Sequence, residues 1–310
     1  MEDETLTSSP KKESFISVVI PSYKSDQVIF QCLESITHQS LDLPYEIVVV
    51  DSSPTNITHR IKESFPEVKV IHLEKRTLSG RARSIGAAEA RGDIVFFVDT
   101  DCICDKDWMR KLLEVHESGY TVAGGSVVNG TPESLIGTAE YLLEFNEINP
   151  WARPGEVRSL PSCNLSVNSS IFDKVGFFPD FLKGEDTIFC ENVISYGDKI
   201  YFYPEAKILH KNRTGFVHFL KNQVALGEGS IETRRRTKRH GHFLVKYPVL
   251  VVFIPVYRTL VIGKRLLQSH IKLFCSYLLL YPLIFLGMLA YTWGFIRGPY
   301  RSGLSTEQPV

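Results

Sequence analysis

The chain has 310 residues, 44% of them apolar, enough for one large domain with an appendage or for two domains. Its 35 basic and 35 acidic side chains cancel, which excludes a global positive field and so argues against nucleic acid as a partner. Its six cysteines include no C-x-x-C pair, and no histidine cluster has zinc spacing, which excludes a structural zinc module and fits a reducing compartment.

Residues 1–13 are polar and charged, lack the apolar core of a signal peptide, and read as a disordered lead-in. Phe15 to Ile20 predicts the first strand, ended by Pro21-Ser22, and Ser25-Asp26 caps a helix over 27–38. Glu46 to Val50 is the second strand, with Asp51 at its carboxyl end. The polar stretch 52–56 leads to a second helix that stops before Pro66, and 68–71 is a third, shorter strand. Ser79 or Gly80 starts a helix rich in Ala and Arg that closes near Gly92. The apolar run Ile94 to Val98 then reads as a buried strand. Strands alternating with helices imply βαβ units, a parallel sheet and right-handed crossovers.

That fourth strand delivers Asp99 and Asp101. Ligands of open α/β sheets bind beyond the carboxyl ends of the strands, so these acids emerge where a substrate sits. Residues i and i+2 of an extended segment face the same way. Two such carboxylates can hold a hard divalent cation, which in turn clamps a diphosphate.

After residue 120 the alternation loosens. A strand is expected at 121–125, a helix at 133–149 stopped by Pro150, and a strand at 161–167 joining the main sheet. A short helix at 169–175 precedes Gly176. Gly184-Glu185-Asp186 opens an amphipathic helix that runs to Tyr196, with Gly197 past its end. Residues 199–203 and 206–209 are strand-like, and His210 follows directly.

A basic cluster occupies 233–240, and the composition then turns apolar. Residues 247–262 are nearly all apolar, and the run 273–296 carries no charge. At 1.5 Å per residue, such a run can cross a hydrocarbon core of about 30 Å. Two spanning segments would place Lys264, Arg265 and Lys272 on the outer side, against the usual charge bias; an interfacial or re-entrant first segment removes that conflict. Membrane association is expected through both segments, with their topology open. The organisation is therefore a lead-in at 1–13, a catalytic domain at 14–232, and a basic linker with hydrophobic membrane-associated helices at 233–310.

Taken in order, Val-Val-Ile-Pro21-Ser22-Tyr23, Glu-Ile-Val-Val-Val-Asp51, Gly80-Arg-Ala-Arg83-Ser-Ile-Gly86, Asp99-Thr-Asp101, Gly184-Glu185-Asp186 and His210 form a series. Over residues 15–215 this series resembles glycosyltransferase family 2, and the apolar C-terminus is similar to that of membrane-attached bacterial members. The resemblance implies the GT-A fold: an α/β, Rossmann-like, mostly parallel sheet flanked by helices, here with a C-terminal hydrophobic helical membrane region. It implies an inverting, divalent-metal-dependent transfer of a sugar from a nucleotide-diphosphate donor, a UDP-sugar by default. The implied acceptor is lipid-linked or a cell-surface polysaccharide, met at the cytoplasmic membrane with the catalytic domain facing the cytoplasm.

The resemblance also implies roles. Pro21, Ser22 and Tyr23 sit where the family's nucleotide loop lies. Asp51 binds the donor's base or ribose, although Ser52 stands where the family often carries a second Asp. Arg83 meets the diphosphate or base, with Ser84 in place of the frequent Asn. Asp99 and Asp101 match the D-x-D motif and hold Mg²⁺ or Mn²⁺, mostly through Asp101, against the donor diphosphate. His210 adds a metal or phosphate contact. Asp186 is the base for the acceptor hydroxyl, and Glu185 orients the acceptor or shares that role. A nucleotidyltransferase is a second reading, disfavoured because the loop Pro21 to Ser25 has no glycine. A non-catalytic membrane scaffold is a third.

Overall fold

Val and Ile crowd the first strands, and branched side chains buried on both faces of a strand favour parallel pairing under helical cover. β1 (Ile16–Ser22), β2 (Tyr45–Asp51), β3 (Lys69–His72) and β4 (Ile94–Val98) are parallel neighbours in the order β3-β2-β1-β4. The crossovers are α1 (Ile29–Thr37), α2 (Thr58–Ser64) and α3 (Ser79–Ala88). This computed structural model describes residues 15–181, 183–237 and 241–302. The lead-in 1–13 and residues 238–240 of the basic cluster lie outside the described residues.

The chain continues through β5 (Cys102–Cys104), α4 (Trp108–Glu117), β6 (Val122–Asn129), α5 (Leu135–Glu144), β7 (Gly155–Val157), β8 (Asn164–Asn168), α6 (Ser170–Val175), α7 (Glu185–Tyr196) and β9 (Ile200–His210). The full sheet order is β3-β2-β1-β4-β8-β6-β9-β5, with β7 also on β9. Here the expectation of a mostly parallel sheet is corrected. β8 runs antiparallel to both β4 and β6, and β5 and β7 run antiparallel to β9, while β6 and β9 pair in parallel as β1 to β4 do. Around β9 burial gives the reason, since β9 alternates buried with more exposed residues and β7 has no buried position, whereas β8 is antiparallel although nearly all buried. Antiparallel pairing tolerates a face left partly in water.

The two strand-like segments around Pro204 form one strand, β9. Proline cannot donate to the ladder and is tolerated where pairing is irregular. The β6–β9 register shifts between Gly125 and Val127, opposite this region. Ser126 Oγ donates to the Pro204 carbonyl at 2.6 Å. Buried Asn164 donates its amide to the Ser126 and Ala206 carbonyls, both at 3.0 Å. Those bonds satisfy backbone oxygens that the irregular ladder leaves over.

The last third is helical: α8 (Phe216–Arg236), α9 (Phe243–Lys246), a 3-10 segment at Pro248–Phe253, α10 (Ile254–Ser269), α11 (Ile271–Leu279) and α12 (Tyr281–Ser302). α12 lies along α8 at close range. A Cβ at Gly227 would stand 2.0 Å from the Tyr291 carbonyl oxygen, and one at Gly294 would stand 2.0 Å from that of Val224. On its other side α8 meets α5, where Glu140 and Glu144 are one turn apart. Asn222 Nδ2 donates to both, at 2.8 and 2.6 Å, and Gln223 Nε2 donates to Glu144 at 3.1 Å. Arg213 pairs with Glu140 at 3.0 Å. Burial first, and Glu140 second, push the Glu144 carboxyl up to about 7. Ile262, Leu266, Tyr277, Ile284 and Met288 belong to the same buried cluster as the sheet. Among the described residues no single helix is long and apolar enough to cross a membrane. The uncharged run is interrupted at Leu280, where α11 and α12 are bent by 78°.

Candidate active site

The parallel register sets Ser22 beside Asp51 and Asp51 beside His72 at three adjacent strand ends. Asp51 is fully buried. Its Oδ1 accepts from Ser22 Oγ and Ser53 Oγ, each at 2.7 Å, and its Oδ2 faces His72 Nδ1 at 3.1 Å. The loop after β1 is pinned to the loop after β2. Ser52 N donates to the Ser22 carbonyl at 3.0 Å, and Lys24 N donates to Ser53 Oγ at 2.7 Å, with Lys24 in the left-handed region at φ 53°. Tyr23 stands half-exposed on this loop, with the Arg76 guanidinium 4.8 Å from its ring centre. Pro21 lies within β1 opposite Val50. Ser53, His72 and Arg76 are absent from the sequence candidates; His72 was recoverable, since parallel pairing of β2 with β3 must put some β3 residue next to Asp51.

Arg83, on α3 and almost fully buried, joins two acids from distant parts of the chain. Its two terminal nitrogens go to Asp99 Oδ1 and to Glu185 Oε1, the latter at 2.8 Å. Ser79 Oγ also donates to Glu185 Oε1, at 3.0 Å. Burial works against the charge of each partner, but the fork between two carboxylates prevails: it raises the Arg83 pKa and holds the Asp99 carboxyl below its ordinary value. Arg83 Nε is buried and without a hydrogen-bond partner. Glu185 is thus a counter-ion for Arg83, while Asp99 keeps its second oxygen outside this pair.

Asp101 lies in the turn immediately before β5. The antiparallel register pairs Cys102 with His210 at the end of β9, and Lys211 N donates to the Asp101 carbonyl at 2.9 Å. This pairing brings His210 Nε2 to 3.7 Å and Cys102 Sγ to 3.8 Å from Asp101 Oδ1. Asn212 settles how the imidazole is held. Its amide nitrogen donates to Asn129 Oδ1 at 2.9 Å, so its oxygen faces His210 Nδ1 at 3.0 Å. That contact puts the proton of the neutral ring on Nδ1 and presents the Nε2 lone pair to Asp101, the arrangement a metal-ligating histidine needs. One donor atom each from Asp101, Cys102 and His210 lie within 4.8 Å of one another. The Asp101 carboxylate fits Mn²⁺ or Mg²⁺, whereas the His210 imidazole and the Cys102 thiol are donors that softer ions favour. Asp99, expected as a metal ligand with Asp101, has its Oδ1 engaged by Arg83 and feels the His210 charge.

Glu185 and Asp186 open α7 because Gly184 precedes them at φ 94°, a conformation that other residues rarely adopt. Asp186 Oδ1 accepts from Thr187 N at 2.6 Å and Oδ2 from Ser162 N at 3.3 Å. Burial, then the neighbouring Glu185 charge, raise its pKa above the ordinary carboxylate value against the pull of Arg83. A positioned carboxylate with raised proton affinity is suited to general-base work.

The arrangement matches known proteins in fold and in sequence. A mannosyltransferase of Pyrobaculum calidifontis, solved with GDP-Man and Mn²⁺, superposes with a TM-score of 0.62 at 16% identity, over 94% of this chain and 88% of that one. The fold is accordingly GT-A-like, α/β with a mixed sheet. Glycosyltransferase AglE of Haloferax volcanii is 27% identical over 251 residues, 78% of this chain and 82% of that protein. A dolichyl N-acetyl-alpha-D-glucosaminyl phosphate 3-beta-D-2,3-diacetamido-2,3-dideoxy-beta-D-glucuronosyltransferase of Methanococcus voltae is 23% identical over 69% of this chain and 72% of its own length. The model for glycosyl transferase family 2 matches residues 17–176, more than half of the sequence and all of the strands that carry Asp51, Asp99 and Asp101, and the chain belongs to that family.

Proposed function

We propose that this glycosyltransferase inverts the anomeric centre, depends on Mg²⁺ or Mn²⁺, and moves a sugar from a nucleotide-diphosphate donor to a lipid-linked or cell-surface glycan at the cytoplasmic face of a membrane. The observation that carries the reading is the Arg83 fork. It ties Asp99, at the donor end of the sheet, to Glu185, whose neighbour Asp186 is the base. Asp186 takes the proton of the acceptor hydroxyl as that oxygen attacks the anomeric carbon. The bond from that carbon to the diphosphate oxygen breaks on the opposite face, and its electron pair leaves with the nucleoside diphosphate. Asp101 and His210 would hold the cation, which supplies charge neutralisation to the departing diphosphate. Asp51, with Ser22 and Ser53, shapes the loop that receives the nucleotide, and Tyr23 offers an aromatic face there. The lipid-linked acceptor is supported by the dolichyl phosphate named for the Methanococcus relative.

Asp101→Ala tests the metal assignment. The variant is expected to keep its melting temperature, to lose Mn²⁺ binding by calorimetry, and to lose donor hydrolysis and transfer. Near-normal turnover would overturn the assignment. Product analysis with UDP- and GDP-sugars should find nucleoside diphosphate; pyrophosphate would point to nucleotidyl transfer instead.

A further inference from the structure

Between Glu232 and Glu307 the chain has no acidic residue and twelve Lys or Arg. The helices of that segment bury one set of apolar side chains and expose another. Val249 is 77%, Leu260 67% and Leu279 78% exposed. On α12 the exposed Leu286, Leu289, Trp293 and Ile296 recur at helical spacing, while Gly287, Gly294 and Gly298 approach other parts of the fold closely. An amphipathic helix with one face already covered and the other apolar face open requires a second partner. Among the described residues Lys264 and Lys272 are exposed and make no ion pair. Water does not explain the apolar face, and a neutral protein surface does not explain the exposed Lys264 and Lys272 in a stretch that carries no acid of its own. An anionic lipid surface accounts for both.

We infer that residues 243–297 form a platform that lies in the plane of an anionic bilayer surface, apolar side chains inserted and lysines among the headgroups, without spanning. No single helix among the described residues is long and apolar enough to cross, and the one pair that reaches that length together is broken by a 78° bend between α11 and α12. This deepens the proposed function and rests on its membrane acceptor: the platform would bring the catalytic cleft to a substrate whose lipid is already in that surface.

Cys275 supplies the probe. It is exposed, whereas the other five cysteines are buried, so a polarity-sensitive fluorophore on the full chain reports from α11. With vesicles containing phosphatidylglycerol the emission is expected to shift to the blue. Lipid nitroxides near the headgroup are expected to quench it more than nitroxides near the chain ends. Lys264→Gln with Lys272→Gln should lower affinity for these vesicles about thirtyfold. Leu260→Gln with Leu279→Gln should lower affinity for neutral vesicles as well. All four side chains are exposed, so the variants should keep their melting temperatures and their donor hydrolysis in detergent. Absence of vesicle binding, equal affinity for neutral and anionic vesicles, or strongest quenching from the chain ends would each overturn the platform. So would self-association in water that the leucine changes abolish, which would assign the face to a second copy. Donor hydrolysis is read separately, so its failure counts against the sugar-transfer reading alone.

Discussion

Asp186 shows what one buried carboxylate can and cannot announce in a sequence. Its position after Gly184 was legible, because the family series places an acid pair at a helix start. Its proton affinity was not, since that depends on burial and on Glu185. The consequence is a pH dependence with a definite sign. In the proposed mechanism Asp186 acts ionised, and its pKa is raised, so kcat is expected to fall on acidification at a higher pH than an ordinary carboxylate near 4 would give. Asp186→Asn should lower kcat by about a hundred- to ten-thousandfold, with KM for the donor little changed and that acid limb abolished. Retention of the limb in the variant would move the base elsewhere. The Arg83 fork was half legible. A basic residue on α3 could be matched to the family, but its two partners come from the end beyond β4 and from α7, and no local pattern pairs them. Cys102 belongs to no C-x-x-C pair and so gave no metal signal; its place near His210 follows from the β5–β9 register.

Elements with a continuous or periodic apolar pattern were easier to read than elements whose polar and glycine faces are packed. β1 to β4 and their crossovers stood out because a continuous apolar run has few alternatives. α8 did not, because it carries Gly227 and Gly229 and no single apolar stripe. The reason lies in its neighbours: α12 packs on one side, Glu140 and Glu144 receive its amides on another, and the backbone before Gly184 approaches Gly229. β9 was split at Pro204 because a proline argues against a strand, and the bonds from Ser126 and Asn164 that tolerate it are remote in sequence. The close approach of α8 to α12 can be tested with one methyl group. Gly227→Ala places a carbon 2.0 Å from the Tyr291 carbonyl, so the helices must separate. A loss of about 1–3 kcal/mol in chemical denaturation is expected, although alanine is the better helix former. Unchanged or increased stability would mean that the contact is loose.

For the molecule as a whole, Glu144 links stability to pH. Its carboxyl rises from an ordinary 4.5 to about 7 in the folded state. The native chain therefore binds more protons than the unfolded chain between those values, and stability falls as pH rises through about 7. Glu144→Gln keeps an acceptor for Asn222 and Gln223 and removes the titration. Denaturation midpoints compared at acid and alkaline pH should show a decline in the parent that is reduced in the variant. An equal decline in both would assign it to other groups.

The shared position of α8 has a practical corollary for anyone preparing a catalytic fragment. Trimming the chain after Arg236, to discard the oily tail, would strip the cover from Gly227 and from the Ile284 and Met288 side of the interior. It would also loosen the wall that Gly229 and Thr233 form behind Gly184. The acid pair at the head of α7 would then lose its backing, and the shortened protein would fail as a catalyst through slack in its frame while every residue of its reactive centre was still present.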